Sequence, residues 1–304
     1  MRTEGDTWDI STGVGSTALF VAAARALAGR GSEPLAVEPY AEFLVREAGP
    51  EWADLLDGKM AEHPLLDPRF GVYFQLYQAA RTKYFDDYFA TAMRAGVRQI
   101  VILGAGLDAR AYRLPWPDGT TIYELDRTTV LEFKRRALSS CGDEPRADRR
   151  EVPVDLREDW SKILREHGFD PSEATAWLAE GLLYYLSAAA GDQLFDDIEL
   201  ASAPGSRVAI EEPPTVPDQA PAEPADRPCH MSSQPDWADL VYNEQGSDAV
   251  EWFTARGWDA TGVTFPDYLD SLDRTAEAVF NDRGWSPSLM RLMTAVRPPR
   301  PISR

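Results

Sequence analysis

The chain has 304 residues, of which 50 are Asp or Glu and 31 are Lys or Arg, and its formal net charge at pH 7 is −19. Lys and Arg side chains supply most of the affinity of proteins for nucleic-acid phosphates and anionic lipid surfaces, so this charge argues against both partners. The length is enough for one large α/β domain or two ordinary ones with a sizeable buried core.

Cysteine and histidine are rare and scattered. The two cysteines, Cys141 and Cys229, fit neither a disulfide framework nor a thiolate metal motif, and the three histidines lack H-x-x-x-H spacing. We therefore predict no metal site. The apolar stretch 18–28 has no basic lead-in and is interrupted by Arg25, so it is neither a signal peptide nor a membrane span. We expect a cytoplasmic protein that binds no membrane.

Residues 1–95 are predicted to form a helical cap that packs on a second unit, residues 96–304. The cap is predicted to contain only helices, and Ser16 or Thr17 is placed to cap the first of them. Glycine and proline positions together with helical spacing of apolar residues set their approximate bounds, which are 17–28, 39–48, 51–60 and 67–94.

From residue 98 onward, short β-branched runs alternate with amphipathic segments. The predicted strands cover 100–103, 120–123, 149–154, 174–179, 207–210, 258–265 and 289–296. The predicted helices after the second strand cover 130–138, 159–167, 188–201, 248–257 and 266–280. This alternation predicts a doubly wound, mostly parallel, seven-stranded α/β sheet with right-handed crossovers.

Seven prolines interrupt the pattern between residues 213 and 235. Proline precludes regular helix or sheet at this density. A long irregular insertion beside the carboxyl ends of strands is either an active-site lid or a disordered excursion, and we favour a lid over about 213–245.

A glycine turn followed by an acid indicates a nucleotide-like ligand. The first predicted strand ends in Gly104-Ala105-Gly106, and the second ends about 20 residues later in Asp126. Glycine lets the backbone approach a ligand closely, and the carboxylate can accept hydrogen bonds from both hydroxyls of a ribose. The spacing satisfies the dinucleotide fingerprint with Ala109 in third place, and it also fits the first motif of class I methyltransferases. A tight turn without a ligand is the remaining alternative.

Four acids stand at the carboxyl ends of four predicted strands: Asp126, Asp155, Glu180 and Glu211. In an open parallel sheet ligands bind beyond these ends. One such acid is commonly a helix cap, but four around a glycine turn favour a ligand with many donors. S-adenosylmethionine has ribose hydroxyls, an adenine amine, an ammonium group and a sulfonium. The pyrophosphate of a dinucleotide would prefer neutral or basic surroundings, so the acids favour S-adenosylmethionine without excluding NAD(P).

Several long motifs show a family resemblance. They are V-I-L-G-A-G-L-D-A-R-A-Y-R-L-P-W-P, Y-E-L-D, E-P-Y-A-E-F-L-V, R-T-K-Y-F-D-D-Y-F, V-D-L-R-E-D-W and G-F-D-P-S-E-A-T-A-W-L-A-E-G-L-L-Y-Y-L. From about Thr17 to Arg207 the chain resembles the leucine carboxyl methyltransferase superfamily, in particular its bacterial branch of S-adenosylmethionine-dependent methyltransferases that is abundant in actinobacteria. It departs from that branch at Glu38, where aspartate is usual, and at Ser187, where proline is customary.

The resemblance implies a set of contacts to the amino-acid end of S-adenosylmethionine. Arg81 would pair with the methionine carboxylate through its planar guanidinium. Glu180 would lie near the amino group. The turn residues would line the methionine and ribose end of the cofactor, and they are Gly104, Ala105 and Gly106.

The adenosine end and the acceptor have their own implied contacts. Asp126 would hold the ribose hydroxyls, whereas Asp155 and Leu156 would bracket the adenine by polar contact and by packing. Tyr185 matches the family tyrosine beside the reacting centre and is expected to position the substrate. A core tyrosine is the alternative for Tyr185.

The implied activity is methyl transfer from S-adenosylmethionine to a small molecule. A carboxylate acceptor is nucleophilic at neutral pH, whereas a phenol or hydroxyl needs a general base, for which only His230 is a candidate. We therefore expect O-methylation, with carboxylate favoured over phenol, of a partly apolar acceptor such as a secondary metabolite. The alternatives are an NAD(P)-dependent oxidoreductase and a non-catalytic S-adenosylmethionine-binding protein.

Overall fold

The computed structural model describes residues 14–213, 242, 244, 246–279 and 286–299. Seven strands form one sheet in the order β3-β2-β1-β4-β5-β7-β6. Their bounds are β1 (Gln99–Leu103), β2 (Thr121–Asp126), β3 (Asp148–Pro153), β4 (Thr175–Ala179), β5 (Arg207–Glu212), β6 (Asp259–Thr264) and β7 (Arg291–Val296). Strand β7 runs antiparallel to both of its neighbours, and the other pairs are parallel. The predicted doubly wound, mostly parallel α/β sheet is confirmed.

The described helices fall into two groups. Four precede the sheet in the chain: α1 (Val14–Ala28), α2 (Pro39–Glu47), α3 (Pro50–Leu56) and α4 (Phe70–Arg94). The others alternate with the strands: α5 (Arg110–Arg113), α6 (Thr128–Cys141), α7 (Trp160–Glu166), α8 (Ala188–Leu200), α9 (Ala249–Ala255) and α10 (Phe265–Ser271). No helix among the described residues is both long enough and apolar enough to traverse a bilayer.

The alternating directions of side chains along the central strands divide the core into two layers. In β1, Ile100 and Ile102 belong to the cluster that includes apolar residues of α1 to α4. Val101 and Leu103 point to the other face and pack with residues of α7, α8 and α9. Successive side chains of a strand face opposite ways, so an apolar run such as Ile100 to Leu103 is buried on both faces.

Several helix ends differ from the sequence-based expectation. Helix α3 ends at Leu56 rather than near Met60. Helix α1 begins at Val14, so Ser16 and Thr17 lie inside it; the Thr17 hydroxyl accepts a hydrogen bond from Tyr185 Oη instead of capping the helix. Helix α10 ends at Ser271 rather than near residue 280. Asp273 adopts a left-handed backbone with φ of 53°, through which a right-handed helix does not continue.

The two departures from the family pattern both have local roles. Ser187 Oγ accepts a hydrogen bond from Ala190 N at 3.3 Å and caps α8. Glu38 is buried at the start of α2 and accepts a hydrogen bond from Arg113 Nε at 2.6 Å. The predicted lid lies almost wholly outside the described residues, apart from a few positions near its ends.

Candidate functional site

The glycine turn after β1 has a backbone that other residues do not readily adopt. Gly104 and Gly106 have φ of 64° and 46°, in the left-handed region. A Cβ on Gly104 would lie 3.2 Å from Leu182 Cδ1, which is closer than ordinary van der Waals contact. The turn therefore passes close to the segment that follows β4, an approach that glycine at position 104 permits.

Asp126 is the last residue of β2 and its carboxylate faces the glycine turn. Its Oδ2 accepts a hydrogen bond from Gly106 N at 2.6 Å, and its Oδ1 accepts one from Arg127 N at 2.7 Å. Burial raises the pKa of Asp126, and the two backbone donors oppose that rise. A carboxylate has about four lone-pair sites, so each oxygen can still accept a hydrogen bond from a ligand hydroxyl.

Asp155 and Leu156 follow β3, the neighbour of β2. Val154 N donates to Asp126 O at 2.9 Å, which brings the two strand ends together. Asp155 accepts hydrogen bonds from Arg127 and, at 2.6 Å, from Arg157 Nη2. Burial would raise the pKa of Asp155, but its hydrogen bonds with Arg157 hold it below the usual value. Leu156 is half-buried against the core.

Glu180 follows β4 and is surrounded by three arginines from three different helices. Arg110 Nη1 of α5 lies 2.7 Å from Glu180 Oε2, Arg81 Nε of α4 lies 3.0 Å from Oε1, and Arg25 of α1 also forms an ion pair with Oε1. The Glu180 side chain is only 7% exposed. Burial alone would raise the pKa of Glu180, but the three guanidinium groups hold it well below its ordinary value. Glu180 is therefore a buried carboxylate that stays ionised.

Glu211, on β5, is the second buried carboxylate beside Arg81. Its Oε2 accepts hydrogen bonds from Arg81 Nη1 at 2.5 Å and from Gly181 N at 2.6 Å. Its Oε1 accepts hydrogen bonds from Tyr77 Oη at 2.5 Å and from Tyr184 Oη at 3.2 Å. Glu211 thus joins α4 to the turn that follows β4.

Tyr185 ends a short 3-10 helix, Leu183–Tyr185, that follows this turn. Its hydroxyl donates a hydrogen bond to Thr17 Oγ1 at 2.8 Å, and its ring centroid lies 6.3 Å from that of Tyr184. The side chain is half-buried. Helix α1 therefore touches the site at Tyr185 and at Glu180, and Ala18 lies beside Gly106.

The residues predicted from sequence form two adjoining groups at the carboxyl edge of the sheet. One group comprises Gly104, Ala105, Gly106, Asp126, Asp155 and Leu156, and the other comprises Arg81, Glu180 and Tyr185. Neighbouring residues link the groups: Leu182, two residues after Glu180, lies close to Gly104, and Arg110, four residues after Gly106, forms an ion pair with Glu180.

Sequence reasoning missed three further residues beside the second group, and it counted Glu211 among the acids around the ligand, whereas the Glu211 carboxylate is bound by protein donors. Arg25 had a signal, since it is the one charged residue in an alanine-rich apolar run. Arg110 stands within the family motif that contains the glycine turn, and Tyr77 is one of many aromatic residues in α4. Their partners come from distant parts of the chain, so spacing alone could not single them out.

The charges of the second group suit the amino-acid end of S-adenosylmethionine. Among the described residues, Arg25 Nε and Arg110 Nη2 are buried donors without a hydrogen-bond partner, so a ligand carboxylate would satisfy them. Glu180 is ionised and suits an ammonium group, while Asp126 suits ribose hydroxyls. A pyrophosphate at the same turn would face buried carboxylates. Fold and site together define a class I S-adenosylmethionine-dependent methyltransferase.

Comparisons with known proteins agree with this enzyme class and identify the family within it. The chain belongs to the leucine carboxyl methyltransferase family, whose family model, "Leucine carboxyl methyltransferase", matches residues 18–199. A "Putative S-adenosyl-L-methionine-dependent methyltransferase" of Mycobacterium tuberculosis H37Ra is 50% identical over 301 residues, which cover 98% of this chain and 100% of the relative. A protein of the same name from Mycobacteroides abscessus is 50% identical over 299 residues, with the same coverage.

These findings confirm the resemblance, the enzyme class and the cofactor that the sequence predicts. The cofactor is S-adenosylmethionine, and the oxidoreductase alternative is set aside. Within the residues that the structure describes, no group of three or more His, Cys, Asp or Glu side chains could hold a metal ion. The role of each site residue stays a prediction.

Proposed function

We propose that the enzyme methylates an oxygen atom of a small-molecule acceptor, and that this oxygen belongs to a carboxylate. The observation that carries the proposal is the lack of a base suited to neutral pH among the described groups of the site. The pKa of Glu180 is lowered by its arginines, whereas burial, together with the charge of Glu211, raises those of Tyr77 and Tyr184. A phenol or alcohol needs a base to become nucleophilic, and a carboxylate does not.

The described histidines do not supply that base. His63 is buried beside Phe20 and Trp52, and His167 ends α7 and hydrogen-bonds to Ile163 O. His230, the candidate named from the sequence, lies outside the described residues.

In this proposal the chain binds and aligns the reactants. The bound cofactor supplies an activated methyl group. Arg81, with Arg25 beside it, holds the methionine carboxylate, and Glu180 holds the ammonium group. Arg25 lies in the last turn of α1, Arg81 in the middle of α4 and Glu180 directly after β4. Side chains held by three different elements would fix the amino-acid end of the cofactor, which supports the alignment that an in-line displacement requires.

The adenosine end is held by the other group of residues. The backbone of Gly104, Ala105 and Gly106 lines the cofactor, and Asp126 accepts hydrogen bonds from the ribose hydroxyls. Asp155 and Leu156 bracket the adenine, by polar contact and by packing.

Tyr185 is proposed to position the acceptor. It follows Glu180 by five residues and its ring stands next to that of Tyr184, so both tyrosines lie near a residue that is proposed to bind the methionine end. A small and partly apolar acceptor is proposed from the aromatic-rich sequence of the helical cap; Tyr73 and Tyr77 themselves pack against Phe265 in the core. An acceptor from secondary metabolism stays a prediction from the sequence.

Two experiments test the proposed function. Calorimetric titration with S-adenosylmethionine, S-adenosylhomocysteine and NAD should show binding of the first two alone. Transfer of a labelled methyl group from the cofactor into a metabolite extract should then give a product that releases volatile labelled methanol in alkali, as a methyl ester does. An alkali-stable label would contradict the carboxylate acceptor, and an unconsumed cofactor would indicate a binding protein.

A further inference from the structure

We propose that Glu211 is a positioning residue that fixes the two groups which bind the amino-acid end of the cofactor. The inference rests on the proposed function, because it takes Arg81 and Glu180 as those groups. Nothing in the comparisons assigns a role to Glu211. Its evidence is the set of contacts that its carboxylate makes.

The Glu211 carboxylate is fully buried and receives four hydrogen bonds. The donors are Tyr77 Oη, Arg81 Nη1, Gly181 N and Tyr184 Oη, at 2.5, 2.5, 2.6 and 3.2 Å. Two of them lie on α4, one in the turn after β4 and one in the 3-10 helix. Four donors fill the lone-pair sites of a carboxylate, so Glu211 has no capacity left to bind a ligand itself. Its function is therefore to hold other groups.

The first group held is the Arg81 guanidinium. Nη1 is bound by Glu211 and Nε lies 3.0 Å from Glu180 Oε1, so two sides of the planar group are fixed. An arginine side chain has many rotamers, and restricting them before the ligand arrives removes part of the entropy cost of binding.

The second group held is the turn that carries Glu180. Gly181, the next residue, has φ of 65° and its amide donates to Glu211. This hydrogen bond fixes the peptide that joins the two residues and so the origin of the Glu180 side chain. Glu211 therefore sets the spacing between a cation and an anion, Arg81 and Glu180, that match the carboxylate and ammonium of an amino acid.

The neighbouring residue provides a matched control. Glu212 is also buried on β5, but it accepts hydrogen bonds from Arg291 and from Ala249 N, away from Arg81. Glu212→Gln therefore removes the same charge from the same strand end without touching the proposed cofactor contacts.

The test compares two ligands on the full chain. S-adenosylhomocysteine carries the amino-acid end, and methylthioadenosine has the same nucleoside and thioether without it. Glu211→Gln is isosteric, and we expect its affinity for S-adenosylhomocysteine to fall about tenfold, as when a charge-assisted contact is misaligned, with methylthioadenosine affinity unchanged. Glu212→Gln should change neither affinity. If Glu211→Gln lost affinity equally for both ligands, or for neither, the positioning role would be overturned.

A double-mutant cycle separates this inference from the proposed function. Arg81→Lys alone should weaken S-adenosylhomocysteine selectively; if it does not, the assignment of Arg81 fails, whatever Glu211 does. If Arg81→Lys does weaken binding selectively, the combined variant Arg81→Lys/Glu211→Gln is measured as well. Its fold-loss in affinity for S-adenosylhomocysteine should be smaller than the product of the two single fold-losses, because both residues act through one contact. Independent losses would contradict the inference. Should Glu211→Gln fail to fold, Tyr77→Phe removes one donor only and should give a smaller loss that is again selective for S-adenosylhomocysteine.

Discussion

Asp126 Oδ2 accepts a hydrogen bond from Gly106 N at 2.6 Å, which ties the end of β2 to the glycine turn after β1. The same carboxylate accepts from Arg127 N, so both of its oxygens are fixed before a ligand binds. Because the carboxylate is already oriented, little conformational entropy is lost when it accepts hydrogen bonds from the two hydroxyls of a ribose.

Asp126→Asn tests this arrangement. We expect affinity for S-adenosylhomocysteine to fall between about tenfold and a hundredfold, because a hydrogen bond to a charged group is worth about 1.5–3 kcal/mol. Calorimetric titration measures the affinity of each variant for S-adenosylhomocysteine. The control is Asp118→Asn, an exposed aspartate before β2 at the opposite edge of the sheet, which should bind as the wild type does. Equal affinities for the two variants would contradict the role of Asp126.

Alanine substitution at Gly104, in the glycine turn, can be compared with alanine substitution at Gly119, which introduces a similar backbone strain elsewhere. Gly104 and Gly119 both have positive φ, 64° and 78°, so alanine at either should cost about 1 kcal/mol of stability. Only at Gly104 would the new Cβ press on Leu182; at Gly119 no atom lies within 4 Å. We expect Gly104→Ala to bind S-adenosylhomocysteine about tenfold more weakly and Gly119→Ala to bind it normally. Normal binding by both would show that the turn tolerates a side chain.

The stability of the fold should depend on pH through His63. Burial lowers the pKa of His63 to about 4 from an ordinary value of 6.5. Between these values the unfolded chain binds a proton that the folded chain does not, so the free energy of unfolding falls on acidification by up to about 1.4 kcal/mol per pH unit. Above pH 7 the contribution of His63 to the free energy of unfolding should not change with pH.

His63→Asn should remove that dependence. Asparagine can still accept the hydrogen bond that His63 Nδ1 receives from Leu65 N, but it does not titrate. Urea denaturation between pH 4 and 8 measures both proteins. The difference in unfolding free energy between wild type and variant should change between pH 6.5 and 4 and be flat above pH 7. A constant difference over the whole range would refute the prediction.

A buried ion pair beneath the turn should matter more than a surface pair. Lys134 and Glu124 are both fully buried, with Nζ and Oε2 2.8 Å apart, and Lys134 Nζ also donates to Asp108 O at 2.9 Å. Lys134→Met leaves Glu124 with Arg149 as its remaining cation, and we expect a loss of about 3 kcal/mol in unfolding free energy.

The comparison for Lys134 is the surface pair of Lys83 with Asp87 on α4. Its atoms lie 3.0 Å apart and the Asp87 side chain is 61% exposed, so Lys83→Met should cost no more than about 0.5 kcal/mol. Both variants are measured by urea denaturation at pH 7. A loss for Lys134→Met as small as that for Lys83→Met would contradict the prediction.

The fold was predictable because its signals are local. Apolar runs such as Ile100 to Leu103 and the turn at Gly104 fix each strand and its direction, and alternation with helices fixes the parallel sheet. The end of α10 was not predictable, because the left-handed backbone of Asp273 leaves no periodic signal. The position of β7 between β5 and β6 was not predictable either, because it depends on which strands pair in the folded chain.

The placement of candidate site residues at strand ends was predictable from the sequence, as for Asp126 and Glu180, whose roles stay predictions. The contacts that join distant segments were not predictable. Arg25 and Glu180 are separated by 155 positions, and Tyr77 and Glu211 by 134. No spacing rule connects such pairs, so their contacts became visible only in three dimensions.

The three arginines around Glu180 constrain how this part of the sequence can change during evolution. Each buried charge in the network is balanced by others, so a single neutral replacement leaves its partners less compensated, at a cost on the order of 3 kcal/mol. Joint replacement of both partners avoids most of that cost. Lineages should therefore exchange these residues in compensated pairs, and positions 25, 81, 110, 180 and 211 should covary or stay fixed together.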